Sequence, residues 1–210
     1  MSHHPSEHLL TEFASGTLET GAALCVRTHL EQCHDCNRVA EDLNVLGAVM
    51  MRGSDEAACS DDLFDRVLGQ LNSQPAPEPV VSDTQDRSAL SSLIPGGIKS
   101  VPWKKIASGI SSYELPVNDG EYNVKLLRVE KGRSVFQHTH SDTELTVLLQ
   151  GGYSDELGSY TAGDFVECDG SHVHKPVAHR DQDCILLTAV SGKLRFTGAI
   201  GRLLNPIVKF

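Results

Sequence analysis

The chain has 210 residues and a formal net charge of −10, with 28 Asp and Glu against 18 Lys and Arg. That length suits one large domain or two small ones, and the acidic balance argues against direct binding to nucleic acid. It has no apolar run of about eighteen residues and no apolar leader core, so a cytosolic protein without a membrane span is expected.

The charge is unevenly placed. Residues 1–72 carry twelve acidic side chains against four basic ones, a net of −8, and the rest is nearly balanced at −2. An acidic N-terminal third points to a basic partner surface. In a reducing compartment the six cysteines read as metal ligands or reduced thiols rather than disulfides.

Residues 6–15 read as a short helix, with Ser6 as its cap, Glu7 in its first turn and Gly16 at its stop. Leu9, Leu10 and Phe13 form its apolar stripe. A second helix is expected over Thr20–Gln32, with Leu24 and Leu30 facing inward. The third starts near Asp35 and carries Val39, Leu43, Leu46 and Met50 at helical spacing, with Gly53 to end it. A fourth begins at Ser60, where Asp61 and Asp62 suit the positive helix end. Leu63, Phe64, Val67, Leu68 and Leu71 give it one continuous apolar face. That face suits either a groove on a partner or its own three-helix neighbour.

At the break between the second and third helices stands His29-x3-Cys33-x2-Cys36. His29 and Cys33, four apart, share a helical face, and Cys36 reaches the same point if a new helix starts there. Nitrogen and sulfur donors in this pattern suit zinc, but three ligands do not close a tetrahedral site. His3, His4 and His8 are the candidates for the fourth. A structural metal would also compensate for the small core of such a helical unit.

From Ser73 a Pro-, Ser- and Asp-rich stretch reads as an extended linker, with residues 73–97 separating a helical domain (1–72) from a second domain (98–210). Short strands are expected over Val101–Ala107, Ser111–Leu115, Tyr122–Glu130, Leu145–Gln150, Asp164–Glu167, Cys184–Val190 and Leu194–Phe196. No amphipathic helix interrupts them, which indicates a sandwich or barrel.

Within these strands lies Gly132-x5-His138-x-His140-x3-Glu144-x6-Gly151, followed by Gly163-x10-His174. His138 and His140, two apart on a strand, face the same way. Three imidazoles and a carboxylate make a site for Zn, Fe(II), Mn or Ni. The two segments resemble the two cupin motifs. The second departs from the family pattern at Asp169, Ser171 and Ala178, where the family has Pro, Gly and Asn, but all four ligand positions match. His172 and His179 have no such match and read as rim or surface residues. Cys25, Cys59, Cys168 and Cys184 read as small apolar residues, with Cys168 and Cys184 also considered as redox participants.

Together the halves resemble the ChrR-type zinc anti-sigma factors. The likeness includes His3–Thr11 and Gly16–Leu18 and runs along almost the whole chain. It implies an α+β multidomain protein, with a four-helix zinc-binding anti-sigma domain and an all-β cupin of jelly-roll type. It selects His4 as the fourth ligand beside His29, Cys33 and Cys36, with zinc bound there. In the cupin it implies a divalent metal on His138, His140, Glu144 and His174, zinc first and Fe, Mn or Ni as alternatives. The implied partner is a group IV (ECF) sigma factor, held off RNA polymerase until a stress such as singlet oxygen arrives. No catalytic residue, nucleic acid or membrane is expected, and a cupin edge strand could pair two copies. The alternative is a metal-dependent cupin dioxygenase or isomerase acting on a small molecule.

Overall fold

The computed structural model describes residues 1–73, 88–117 and 121–197. Four helices come first: α1 (Glu7–Ser15), α2 (Thr20–Leu30), α3 (His34–Arg52) and α4 (Leu63–Ser73). The Ser6 hydroxyl caps α1 by accepting the Leu9 N–H at 3.3 Å, and Gly16 closes it in the left-handed region at φ 70°.

Eleven strands follow among the described residues. They are β1 (Lys104–Ala107), β2 (Ile110–Glu114), β3 (Tyr122–Val129), β4 (His138–His140), β5 (Glu144–Gln150) and β6 (Gly152–Ser154). The rest are β7 (Ser159–Thr161), β8 (Phe165–Cys168), β9 (Val177–Ala178), β10 (Cys184–Ser191) and β11 (Leu194–Phe196). A six-stranded sheet has the order β1-β2-β3-β10-β5-β8, and β7-β6-β9 and β11-β4 form two smaller sheets. Every paired strand is antiparallel. These antiparallel sheets close around a barrel interior, the architecture expected of a cupin, and the helices come from the N-terminal part of the chain.

The seven expected strands are present, Leu194–Phe196 with both ends as expected and the others with at least one end moved by one to three residues. Val101–Trp103 lies outside the first of them. β4 is the strand expected to carry His138 and His140, and three short strands were not legible: β6, β7 and β9 have two or three residues each, too few to show a period.

Alternation along the central strands explains the layering. Val124 and Leu126 of β3, Leu145 and Val147 of β5, Phe165 of β8, and Leu187 and Ala189 of β10 share a core with the helices. Their neighbours Val129, Leu148, Val166, Cys168, Cys184 and Leu186 belong to a second core inside the barrel. Helix α2 lies across β3, β5 and β10 on the outer face. Its Ala22, Cys25 and Val26 are wholly buried. The helical module therefore has no separate core: the sheet serves as its floor. The two bodies are covalently distant yet packed as one.

Two expectations change here. The stretch nearest the second domain, expected to be linker up to Gly97, contributes Leu90 and Ile94 to the shared core. It turns on itself through Leu93 N–H and Ile94 N–H, both donating to the Leu90 carbonyl. The Pro-rich remainder, residues 74–87, lies outside the described residues. In α3, only the first half meets the rest of the protein: Cys36 and Ala40 are buried and Leu43 half-buried. Beyond them Val45, Leu46, Val49, Met50 and Met51 are exposed, and all of α4 is exposed as well. The apolar face of α4 therefore does not pack on its helical neighbours.

Candidate metal centres

The first cluster gathers His4, His29, Cys33 and Cys36, whose donor atoms all lie within 4.8 Å of one another. His29 stands in the last turn of α2. The chain breaks at Glu31–Cys33 and restarts as α3 at His34, so Cys33 occupies the position before the helix and Cys36 its first turn. The Cys33 N–H still donates to the His29 carbonyl at 2.9 Å, preserving the four-residue relation that the sequence indicated. His4 arrives from the segment before α1, its Nδ1 3.4 Å from Cys33 Sγ and 3.3 Å from Cys36 Sγ. The other two candidates go elsewhere. His3 meets the Tyr160 ring at a tilt, centroids 4.6 Å apart, and His8 pairs with Glu12 on the surface.

The donor chemistry suits a cation. His29 donates through Nδ1–H to the Gly163 carbonyl at 2.8 Å, which leaves a bare lone pair on Nε2. That Nε2 is buried and has no hydrogen-bond partner. An orphaned buried acceptor is costly unless something occupies it. Burial lowers the pKa of His29, against the opposing effect of the Gly163 bond, and so keeps the ring in its ligating form. Burial and the adjacent Cys33 push the Cys36 thiol up to about 12. A bound cation reverses that preference and makes the thiolate the stable form. Two nitrogens and two sulfurs, with His29, Cys33 and Cys36 buried and His4 at the exposed side, are the donor set of a structural zinc site.

The second cluster gathers His138, His140, Glu144 and His174, again within 4.8 Å. β4 carries the two histidines on one face, and Glu144 opens β5. His174 is brought over by a reciprocal backbone bridge with His138, each N–H donating to the other's carbonyl at 3.1 Å. His138 Nδ1 donates to the Phe136 carbonyl at 2.7 Å, and His174 Nδ1 to the Asp155 carboxylate at 3.0 Å. Both rings therefore turn bare Nε2 lone pairs toward each other, 3.1 Å apart. A cation between them relieves that opposition. His140 Nε2 and Glu144 Oε2 approach to 2.5 Å, yet neither makes an aligned hydrogen bond. Burial lowers His138 to about 4. Burial opposes ionisation of Glu144, but contact with His140 and the nearby His138 and His174 bring it down to about 2. Three imidazoles and one carboxylate then converge, a set that suits zinc, iron, manganese or nickel.

Asp155 was missed in the sequence. It sits in the β6–β7 turn, where Oδ1 accepts the Leu157 and Gly158 N–H groups while Oδ2 holds His174. Its only local signal is a turn signal, Asp followed three residues later by Gly. His172 and His179 stay outside the cluster as expected. The first pairs with Asp169 at the surface, and the second bonds to Ser154 and Ser159.

The cluster opens on a cavity of about 920 Å³ inside the barrel. Its walls are mainly apolar, with Ile110, Leu127, Val129, Phe136 and Leu186 among them. The thiols of Cys168 and Cys184 are buried in the wall, and burial pushes both up to about 12, so neither is a ready thiolate. Cys25 is buried too, whereas Cys59 is exposed.

Comparisons with known proteins agree with this geometry. Residues 95–193 match the family model described as the ChrR cupin-like domain. The anti-sigma-E factor ChrR of Cereibacter sphaeroides is 34% identical over 210 residues, spanning 99% of this chain and 98% of that protein. The crystal structure of Rhodobacter sphaeroides SigE in complex with the anti-sigma ChrR matches with a TM-score of 0.79 at 34% identity, covering 91% of this chain and 100% of that one. A likeness of that depth along both the helical module and the cupin places the chain in the ChrR family of anti-sigma factors.

Proposed function

We propose that the protein binds a group IV (extracytoplasmic-function) sigma factor through its helical module and withholds it from RNA polymerase. The observation that carries this reading is the uncovered apolar surface of α3 and α4. Met50 is 70% exposed, Met51 77% and Phe64 71%, and none of α4 is buried. Exposed apolar faces of this kind on adjacent helices mark a protein–protein interface. Acidic side chains flank them, among them Asp42, Asp55, Glu56, Asp61 and Asp62, which suits a basic partner. The ChrR relative was crystallised with a sigma factor, SigE. Inhibition is then occlusion, a binding equilibrium with no chemical step.

In this reading zinc on His4, His29, Cys33 and Cys36 fixes the angle between α2 and α3, and so presents the α3 face. The cupin would hold a divalent metal on His138, His140, Glu144 and His174 and report a stress such as singlet oxygen. A signal must favour one of two states by differential interaction. Oxidation of a cupin ligand under stress is the candidate, followed by a changed interdomain contact that releases sigma. Among the described residues no helix is long and apolar enough to cross a membrane, in keeping with action on a cytoplasmic sigma factor.

The test is capture of purified group IV sigma factors by the full-length, metal-loaded protein. One-to-one capture that blocks core polymerase binding is the expected result; no capture of any of them would sink the reading. A second reading draws on the barrel cavity. A cupin with open metal positions could be a dioxygenase or isomerase. Sustained oxygen consumption by the Fe(II)-loaded full chain with a simple diketone or thiol would favour it.

A further inference from the structure

We infer that the cupin domain positions the metal ligands of the helical module, through Gly163, Asp164 and Glu167 on the outer side of β8 and the turn before it. The inference rests on reading His4, His29, Cys33 and Cys36 as a metal site. It makes the sheet edge around β8 part of that site.

His29 is oriented by the Gly163 carbonyl at 2.8 Å, and its ring meets Phe165 edge-on at 5.7 Å. Without the Gly163 bond nothing selects the tautomer that leaves Nε2 free to ligate. His4 is held from both sides. Before it, the N–H groups of Ser2 and His3 donate to Asp164 Oδ1 at 2.8 and 3.3 Å, and the Phe165 N–H donates to the His3 carbonyl at 3.0 Å. After it, the Ser6 N–H donates to Glu167 Oε1 at 2.6 Å.

Asp164 is the centre of this arrangement and is 1% exposed. Its two oxygens divide the work. Oδ2 accepts the Thr161 N–H and hydroxyl, which closes the turn into β8, and also lies 3.6 Å from His3 Nδ1. Oδ1 serves the N-terminal segment. Glu167 has no turn to close. It is an exposed side chain on β8, and its one hydrogen bond among those described ties down the start of α1.

The same strand faces the other centre. Cys168 of β8 stands opposite Glu144 of β5 in the antiparallel ladder. A shift of β8 caused on the barrel side would therefore move the partners of His29 and His4 on the other. Metal binding in the module and docking of the cupin are linked, and each favours the other.

The experiment uses the full-length protein stripped of metal and titrated with Co(II) against a competing chelator. Thiolate-to-cobalt charge transfer reports only the first cluster, because the second has no sulfur donor. Wild type should show the band and Cys33→Ser should lose it; absence from wild type would overturn the metal reading and this inference with it. Glu167→Ala should keep the band at saturation but bind Co(II) about 10-fold more weakly, and Asp164→Ala up to about 100-fold. Glu167→Gln retains the acceptor oxygen and should behave as wild type. A band in wild type together with unchanged affinity in Glu167→Ala and Asp164→Ala would overturn the positioning role alone. If Asp164→Ala fails to fold, the Glu167 pair decides, since that side chain is exposed.

Discussion

On one face of β5, Glu144, Thr146 and Leu148 look into the barrel; on the other, Leu145 and Val147 lie under α2. The same sheet thus separates two four-residue clusters that differ in donors and in surroundings. Inside, the donors come from β4, β5 and the segment before β9, and they edge a large apolar cavity. Outside, the donors are packed between two helices and the β8 turn. A largely buried site of nitrogen and sulfur suits structure, whereas a site on a cavity leaves room for a ligand or an oxidant. The shared sheet then acts as a partition whose movement both sides feel.

The largest effects should come from removing a thiolate on the outer side. Cys33→Ser or Cys36→Ser is expected to abolish metal binding in the module and, with it, sigma capture. Elemental analysis and pull-down of the full chain check this, and capture that survives without metal would separate the two. On the inner side, Glu144→Ala or His174→Ala should empty the cupin centre while leaving capture intact. Loss of capture in either would show that the partition does not divide the labour as described.

Substitutions on the helices sharpen the contrast between covered and uncovered apolar residues. Phe64→Ala, at an exposed position, should weaken sigma binding by about 2 kcal/mol or more if it sits at the centre of the contact. Its own unfolding free energy should move by less than about 0.5 kcal/mol. Val26→Ala is the opposite case. It opens space between α2 and the sheet and should cost about 1–3 kcal/mol in denaturant unfolding, with sigma binding less affected. Equal effects of the two substitutions on stability would mean that α4 is covered in solution. The most local effect is expected from Asp155→Asn, which alters the partner of His174 without removing a ligand. A fall of about 10–100-fold in cupin metal affinity, with unchanged metal in the module, is the outcome that calorimetry should record.

Much of the ligand geometry was readable before any coordinates because it depends on short spacings. His29 and Cys33 meet through one helical turn, and His138 and His140 through the two-residue repeat of a strand. His174 was readable only by resemblance to the cupin motifs. The bridge that brings it to His138 spans 36 residues, and no local pattern encodes such a pairing. The choice of His4 over His3 and His8 was of the same kind. Chain order offers all three, and the hydrogen bonds to Asp164 and Glu167 decide which ring faces the thiols.

One signal in the strands was present but not used. Cys184–Val190 runs nearly unbroken in apolar residues, interrupted only by Thr188, instead of alternating with polar ones. Such runs belong to strands covered on both faces, and here the second cover is α2. By itself the sequence determined the helices with their stops, the strand-rich second half and both sets of local ligand pairs, because these follow from periods of a few residues. Only the tertiary structure decided that the helical module rests on the cupin sheet, that the far half of α3 and all of α4 stay uncovered, and that Asp155 and Asp164 support the two centres. Those outcomes depend on which apolar faces find each other across long stretches of chain, and on buried polar groups seeking partners wherever packing leaves them.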